Sequence, residues 1–120
     1  MNGKSVIETL TGDNSLLDTE MQSLSVERMT DEQVRVSIVF YSFRNASRFS
    51  RVQLVFDRVE EFEFNHSSSY YFYTVSSFKF LQLESGEYYL SLDPDESDIE
   101  NRSDSDNDFV VGKELRLIEL

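Results

Sequence analysis

The sequence predicts a mostly β domain, an antiparallel two-sheet sandwich or a partly open barrel of roughly seven to nine strands with one short N-terminal helix. Three observations lead there. Apolar side chains recur at every second position in run after run, which is the period of a strand buried on one face. The connections between these runs are short and no helical period follows the first dozen residues. The chain is also 39% hydrophobic and 13% aromatic with a single proline, enough apolar surface for a packed core.

Residues 5–10 form the one helical candidate, with Val6 and Leu10 a turn apart on the same face. Thr11-Gly12-Asp13-Asn14 then stops it. In QSLSVER, Leu24 and Val26 alternate with polar neighbours. The run QVRVSIVFYSF is the clearest strand, with Val34, Val36, Ile38 and Phe40 on one face. Val52, Leu54 and Phe56 make the next, and Phe62 and Phe64 another, the latter backed by Glu61 and Glu63. YYFYTV is aromatic and β-prone. FKFLQLE moves from Phe78 and Phe80 to Leu81 and Leu83, a parity switch that predicts a bulge or a change of sheet. Ser85-Gly86 turns into EYYLSLD, where Tyr88, Leu90 and Leu92 oppose Tyr89 and Ser91. DFVVGKELRLIEL closes the chain, and Gly112-Lys113 predicts a turn between two short strands.

The 120 residues fit one domain, 1–120, with a helix and turn over 1–14 and an acidic loop over 93–108. Cysteine is absent, which removes disulfides and thiolate chemistry. Neither a signal-type leader nor an apolar run near the roughly 20 residues of a membrane helix is present, so a cytoplasmic protein away from membranes is expected. Net charge is −12 with a pI near 4.3, the wrong sign for nucleic acid or an anionic membrane and the right one for a basic protein partner. Residues 93–108 hold eight acids and one base, more than half of that charge. Such a block of like charge is expected to stay solvated and extended.

Candidate chemistry concentrates in that loop, DPDESDIENRSDSDND. Asp95, Glu96, Asp98 and Glu100 form a surface for a basic partner, joined by tyrosines that alternation directs away from the core: Tyr71, Tyr73 and Tyr89. The same outward tyrosines allow a homo-oligomer. Asp104, Asp106 and Asp108 have the 1-3-5 spacing of a calcium loop, although Phe109 stands where its glycine belongs and Leu115 where its glutamate belongs. In SFRNASRFSR, Arg44, Arg48 and Arg51 interleave with Phe43 and Phe49, a set that suits pairing with acids better than nucleic acid in so anionic a chain. His66, the one histidine, lies in a serine-rich turn with no elbow or oxyanion motif. Glu60, Glu61 and Glu63 read as the wet face of a strand rather than a glycosidase pair. No enzyme and no cofactor are predicted.

Taken together, SLLDTEMQSLSVER, the long alternating strand, VQLVFDRVEEFEF and EYYLSLDP resemble a bacterial all-β family of immunity proteins from polymorphic toxin systems and related uncharacterised proteins. Ser15, Leu16 and Asp18 fit its opening segment, with Leu17 in the place of a histidine. Val52, Leu54, Phe56 and Val59 fit its V-x-L-x-F strand, and Asp93-Pro94 its late strand end. The resemblance implies a β-sandwich-like fold and neutralisation of a toxin by direct binding. The expectation is therefore a non-enzymatic, immunity-like binding protein that docks on a basic protein through its acidic loop and exposed tyrosines. A calcium- or small-ligand-binding β domain is the alternative.

Overall fold

The computed structural model describes residues 1–69 and 73–120. Helix α1 spans Lys4–Thr11, and the strands are β1 (Glu20–Arg28), β2 (Val34–Tyr41), β3 (Arg51–Glu63), β4 (Lys79–Gln82), β5 (Tyr88–Asp93) and β6 (Asn107–Glu119). All six pair antiparallel in a single sheet of order β1-β2-β3-β6-β5-β4. The mostly β architecture and the short helix match the sequence expectation. The two sheets and the higher strand count do not. Among the described residues there is one open sheet of six strands, because β3 and β6, at 13 residues each, run through the whole of it.

What reads as two strands on either side of Gly112-Lys113 is one bent strand. The bend lies where β3 and β6 cross. Arg58 takes a left-handed φ of 52°, and Glu60 is an extra residue between the pairs Val59↔Gly112 and Glu61↔Val111. Such bulges sharpen twist and turn a strand into a corner. Gly112 permits the close crossing, since a Cβ there would lie 3.2 Å from both the Asp57 carbonyl oxygen and the Phe56 Cβ.

Below the bend, Val36, Ile38, Phe40, Val52, Leu54, Phe56, Leu115 and Leu117 face inward. Above it, Val110, Leu90 and Phe80 do so, and all join one cluster. Phe56 and Phe80 approach to 6.4 Å although β6 and β5 separate their strands. On a flat sheet those strands would lie about 14 Å apart, so the sheet curls over its own core. Each fully buried side chain of this set contributes roughly 1.5–3 kcal/mol. The short helix caps the core with Val6 and Leu10, both fully buried.

Two backbone seams finish the enclosure. Gly3 N–H donates to the Leu115 carbonyl and Leu117 N–H to that of Met1, each at 2.9 Å, extending the sheet beside β6 where β5 has ended. Residues 73–75 lie beside the start of β1, where Met21 N–H donates to the Tyr73 carbonyl at 2.6 Å and Val75 N–H to that of Thr19 at 2.9 Å. Only residues 76–78 then lead to β4, and no ladder joins the two sheet edges among the described residues.

Strand β4 is regular. Its register with β5 is unbroken from Lys79↔Ser91 to Gln82↔Tyr88, and no bulge occurs at Leu81. The apparent parity switch has another cause, which is that both faces are covered. Phe80 enters the main core, while Leu81 and Leu83 pack on the outer face against Tyr89, Phe109 and Val111.

Candidate functional site

The cover on that outer face is the acidic loop. It leaves β5 at Asp93, returns to β6 at Asn107, and these two residues pair across its root. Instead of standing off in solvent, it folds back onto the sheet around one carboxylate. Asp106 accepts hydrogen bonds from Lys79 Nζ at 2.9 and 3.2 Å, Tyr89 Oη at 2.7 Å, Asp95 N–H at 2.7 Å and Ser103 N–H at 3.0 Å. Lys79 Nζ donates in addition to the Asn101 carbonyl at 2.8 Å. The ion pair is dry, with side-chain exposures of 2% and 0%. Buried charges persist only when paired and fully hydrogen-bonded, and no buried side-chain nitrogen or oxygen among the described residues lacks a partner.

Burial by itself would raise the Asp106 pKa. The bonds from Ser103 N–H, Tyr89 Oη, Lys79 and Asp95 N–H together outweigh it and hold the carboxyl below its ordinary range. Burial, followed by the bond to the Asp106 carboxylate, drives the Tyr89 hydroxyl well above the usual tyrosine range, so it stays a donor.

A second clamp lies beside the first. The Arg102 guanidinium covers the rings of Tyr89 and Phe109, 5.2 and 4.9 Å from their centroids, and its Nη2 bonds Glu61 at 2.8 Å. Burial lowers the Arg102 pKa, but the Glu61 bond and charge more than offset that and leave it raised. Those two rings stack at 5.9 Å. The one base of the loop thus adds a second fastening to the sheet.

The predicted site residues divide under this geometry. Tyr89 does point away from the main core as alternation requires, yet it is fully buried beneath the loop and is not an exposed partner-binding tyrosine. Tyr73 is 46% exposed and lies beside β1, the sheet edge opposite β4. Tyr71 falls outside the described residues. Asp95 is spent within the loop, its Oδ1 taking the Ser97 hydroxyl and N–H and its Oδ2 the Ser103 hydroxyl, and these bonds lower its pKa. Asp98 Oδ1 closes the next turn by accepting from the Glu100 and Asn101 N–H groups. Glu96 and Glu100 remain exposed. Between them in the chain stands Ile99, at 71% the most exposed large hydrophobic side chain among the described residues.

The three aspartates of the calcium reading go to separate places. Asp106 is saturated by protein donors, and Asp108, 2% exposed, accepts from Asn65 N–H at 2.8 Å to tie the end of β3 to the start of β6. Asp104 is exposed. Among the described residues no group of three His, Cys, Asp or Glu side chains converges on a metal position. The Lys79 ammonium occupies the place beside Asp106 where the 1-3-5 spacing had put a cation.

Elsewhere, Arg44 pairs with Asp18, which precedes β1, at 2.8 Å, and Arg48 lies 4.7 Å over the Phe49 ring. His66 is exposed in its turn and lines a shallow cleft with Tyr73 and residues 21–24. A cleft of about 690 Å³, polar and open, lies between the β1–β2 turn and the bend, lined by Asp31, Glu32, Arg58, Glu60 and Lys113 among others. Among the described residues no helix is long and apolar enough to cross a membrane.

The sequence reading missed Lys79 and Arg102. Their signal is present in the pattern: β4, β5 and the start of β6 carry apolar residues on both faces, so something must cover the outer one, and the long connection from β5 to β6 is the adjoining segment. No protein-family model, curated protein or solved structure matches this chain.

Proposed function

We propose that this protein acts by binding rather than catalysis, docking on a basic protein through the tip of the acidic loop, in the manner of an immunity protein acting in the cytoplasm. One observation carries the reading. The loop is anchored from beneath by Lys79, Tyr89 and Arg102, and it holds Ile99 in solvent between Glu96 and Glu100. An apolar residue rimmed by charge on a pre-ordered segment has the makeup of an interface anchor. Its ordering cost is met during folding, and the surrounding acids steer a cationic surface toward it. The remaining exposed acids raise the encounter rate without needing individual partners.

The test is affinity capture from the source cell extract, with the full chain as bait beside an Ile99→Asp, Glu96→Lys, Glu100→Lys variant. These exposed changes each alter stability by within about 0.5 kcal/mol, so the variant stays folded. The expected result is a basic protein retained by the parent at low salt, released at high salt and not retained by the variant. Equal retention by both baits, or indifference to salt, overturns the proposal.

A further inference from the structure

We infer that the Asn2–Gly3 peptide is a site of spontaneous deamidation that the fold holds in check, an inference independent of the docking proposal. Asparagine followed by glycine is the dipeptide most open to this reaction, because no Cβ hinders the following nitrogen from reaching the side-chain carbonyl. Position 3 has little freedom to be anything else. Gly3 has a φ of 65°, and a Cβ there would fall 2.9 Å from the Tyr88 hydroxyl oxygen. The asparagine before it has an exposed side chain, and only its backbone carbonyl is engaged, by the Ser5 hydroxyl at 2.7 Å.

The reaction balances without an added redox partner. The Gly3 nitrogen, having lost its proton to base, attacks Asn2 Cγ. The new N–Cγ bond forms, the Cγ–Nδ2 bond breaks, and Nδ2 takes the proton back from the base and leaves as ammonia. Water then opens the succinimide at either carbonyl, giving aspartate or isoaspartate. Protection follows from the same atoms. The attacking Gly3 N–H is the one that donates to the Leu115 carbonyl at 2.9 Å, and the flanking bond from Leu117 N–H to the Met1 carbonyl holds the segment straight. Attack requires this seam to open, and α1, anchored by the buried Val6 and Leu10, follows directly and resists opening.

The two products differ in effect. Aspartate at position 2 sits in the bridge opposite Arg116 and just before the N-terminus of α1, where a negative charge is favourable. Isoaspartate lengthens the backbone inside the seam and breaks its pairing. Deamidation therefore either reinforces or releases the N-terminal segment.

The experiment incubates the full chain at mildly alkaline pH, folded and in denaturant. Peptide mass spectrometry then follows acid formation at Asn2, Asn14, Asn45, Asn65, Asn101 and Asn107. In denaturant Asn2 should outpace the other five. In the folded chain it should slow at least about tenfold, the factor set by 1.4 kcal/mol of opening free energy. Ser5→Ala, a mild exposed change that removes the hydroxyl bond to the Asn2 carbonyl and so loosens the segment beside the seam, should speed it. A second variant, Asn2→Asp, should melt no lower than the parent. Equal rates folded and unfolded, or an Asn2 no faster than Asn65 in denaturant, overturns the inference.

Discussion

Removing Asp106 would leave the Lys79 ammonium buried with only the Asn101 carbonyl for company. The loss of one partner from a buried pair typically destabilises by about 3–5 kcal/mol, because the other charge stays behind. Asp106→Ala is therefore expected to lower unfolding free energy by that amount in urea titrations, and a loss under about 1 kcal/mol would mean that water reaches Lys79. Acid makes the same point reversibly. The folded-state Asp106 value lies below the ordinary carboxylate value of about 3.9. Its stabilising contribution is complete above that value and vanishes as pH falls through the lower folded one. Asp106→Asn should flatten this part of the acid limb. At the same scale, Asp95 and Asp98 show why a run of acids misleads: short acidic side chains that cap their own backbone turns order a loop that charge counting alone would leave extended.

Among the elements, the bend of β3 and β6 is the most exposed to substitution. A Gly112→Ala methyl would press on the Asp57 carbonyl oxygen and Phe56 Cβ at 3.2 Å, neither of which is a flexible chain end. Overpacking of this kind costs about 1–3 kcal/mol, and thermal unfolding should register it; an unchanged midpoint would show that the corner relaxes freely. The bend also marks the limit of what periodicity could reveal. Strand positions were legible in β2 and the first half of β3, where Val36, Ile38, Phe40, Val52, Leu54 and Phe56 face inward as alternation requires, but Val26 and Phe62, read from the same alternation, are exposed. Continuity was not, because across the bend the inward set of β6 passes from Val110 to Leu115 and Leu117, and such a change of parity looks like an end. Helix α1 was legible from Val6 and Leu10 alone. For β4, two covered faces imitated a bulge. The loop was correctly located but its state was not, since pairing between Lys79 and Asp106 spans 27 residues and leaves no local periodic trace.

Over the whole molecule, 23 acids face 11 lysines and arginines. Among the described residues six ion pairs, most of them at the surface, offset only part of that excess. Net self-repulsion should dominate, so raising monovalent salt from a few millimolar to about 0.15 M, where the screening length is about 8 Å, is expected to raise the melting temperature. A fall would mean that the surface pairs outweigh the repulsion. The dry Lys79–Asp106 pair should respond little to the same change.

Residues 1 and 120 both lie toward the C-terminal end of β6. The first lies against Leu117 and the last donates its N–H to Arg51 at the start of β3, while the acidic loop is rooted at the far end of β6, ten residues away from Leu117. A tag, a label or a tethering surface attached at either terminus would consequently leave Ile99 and its glutamates unobstructed. One immobilisation chemistry would serve for both ends of the chain.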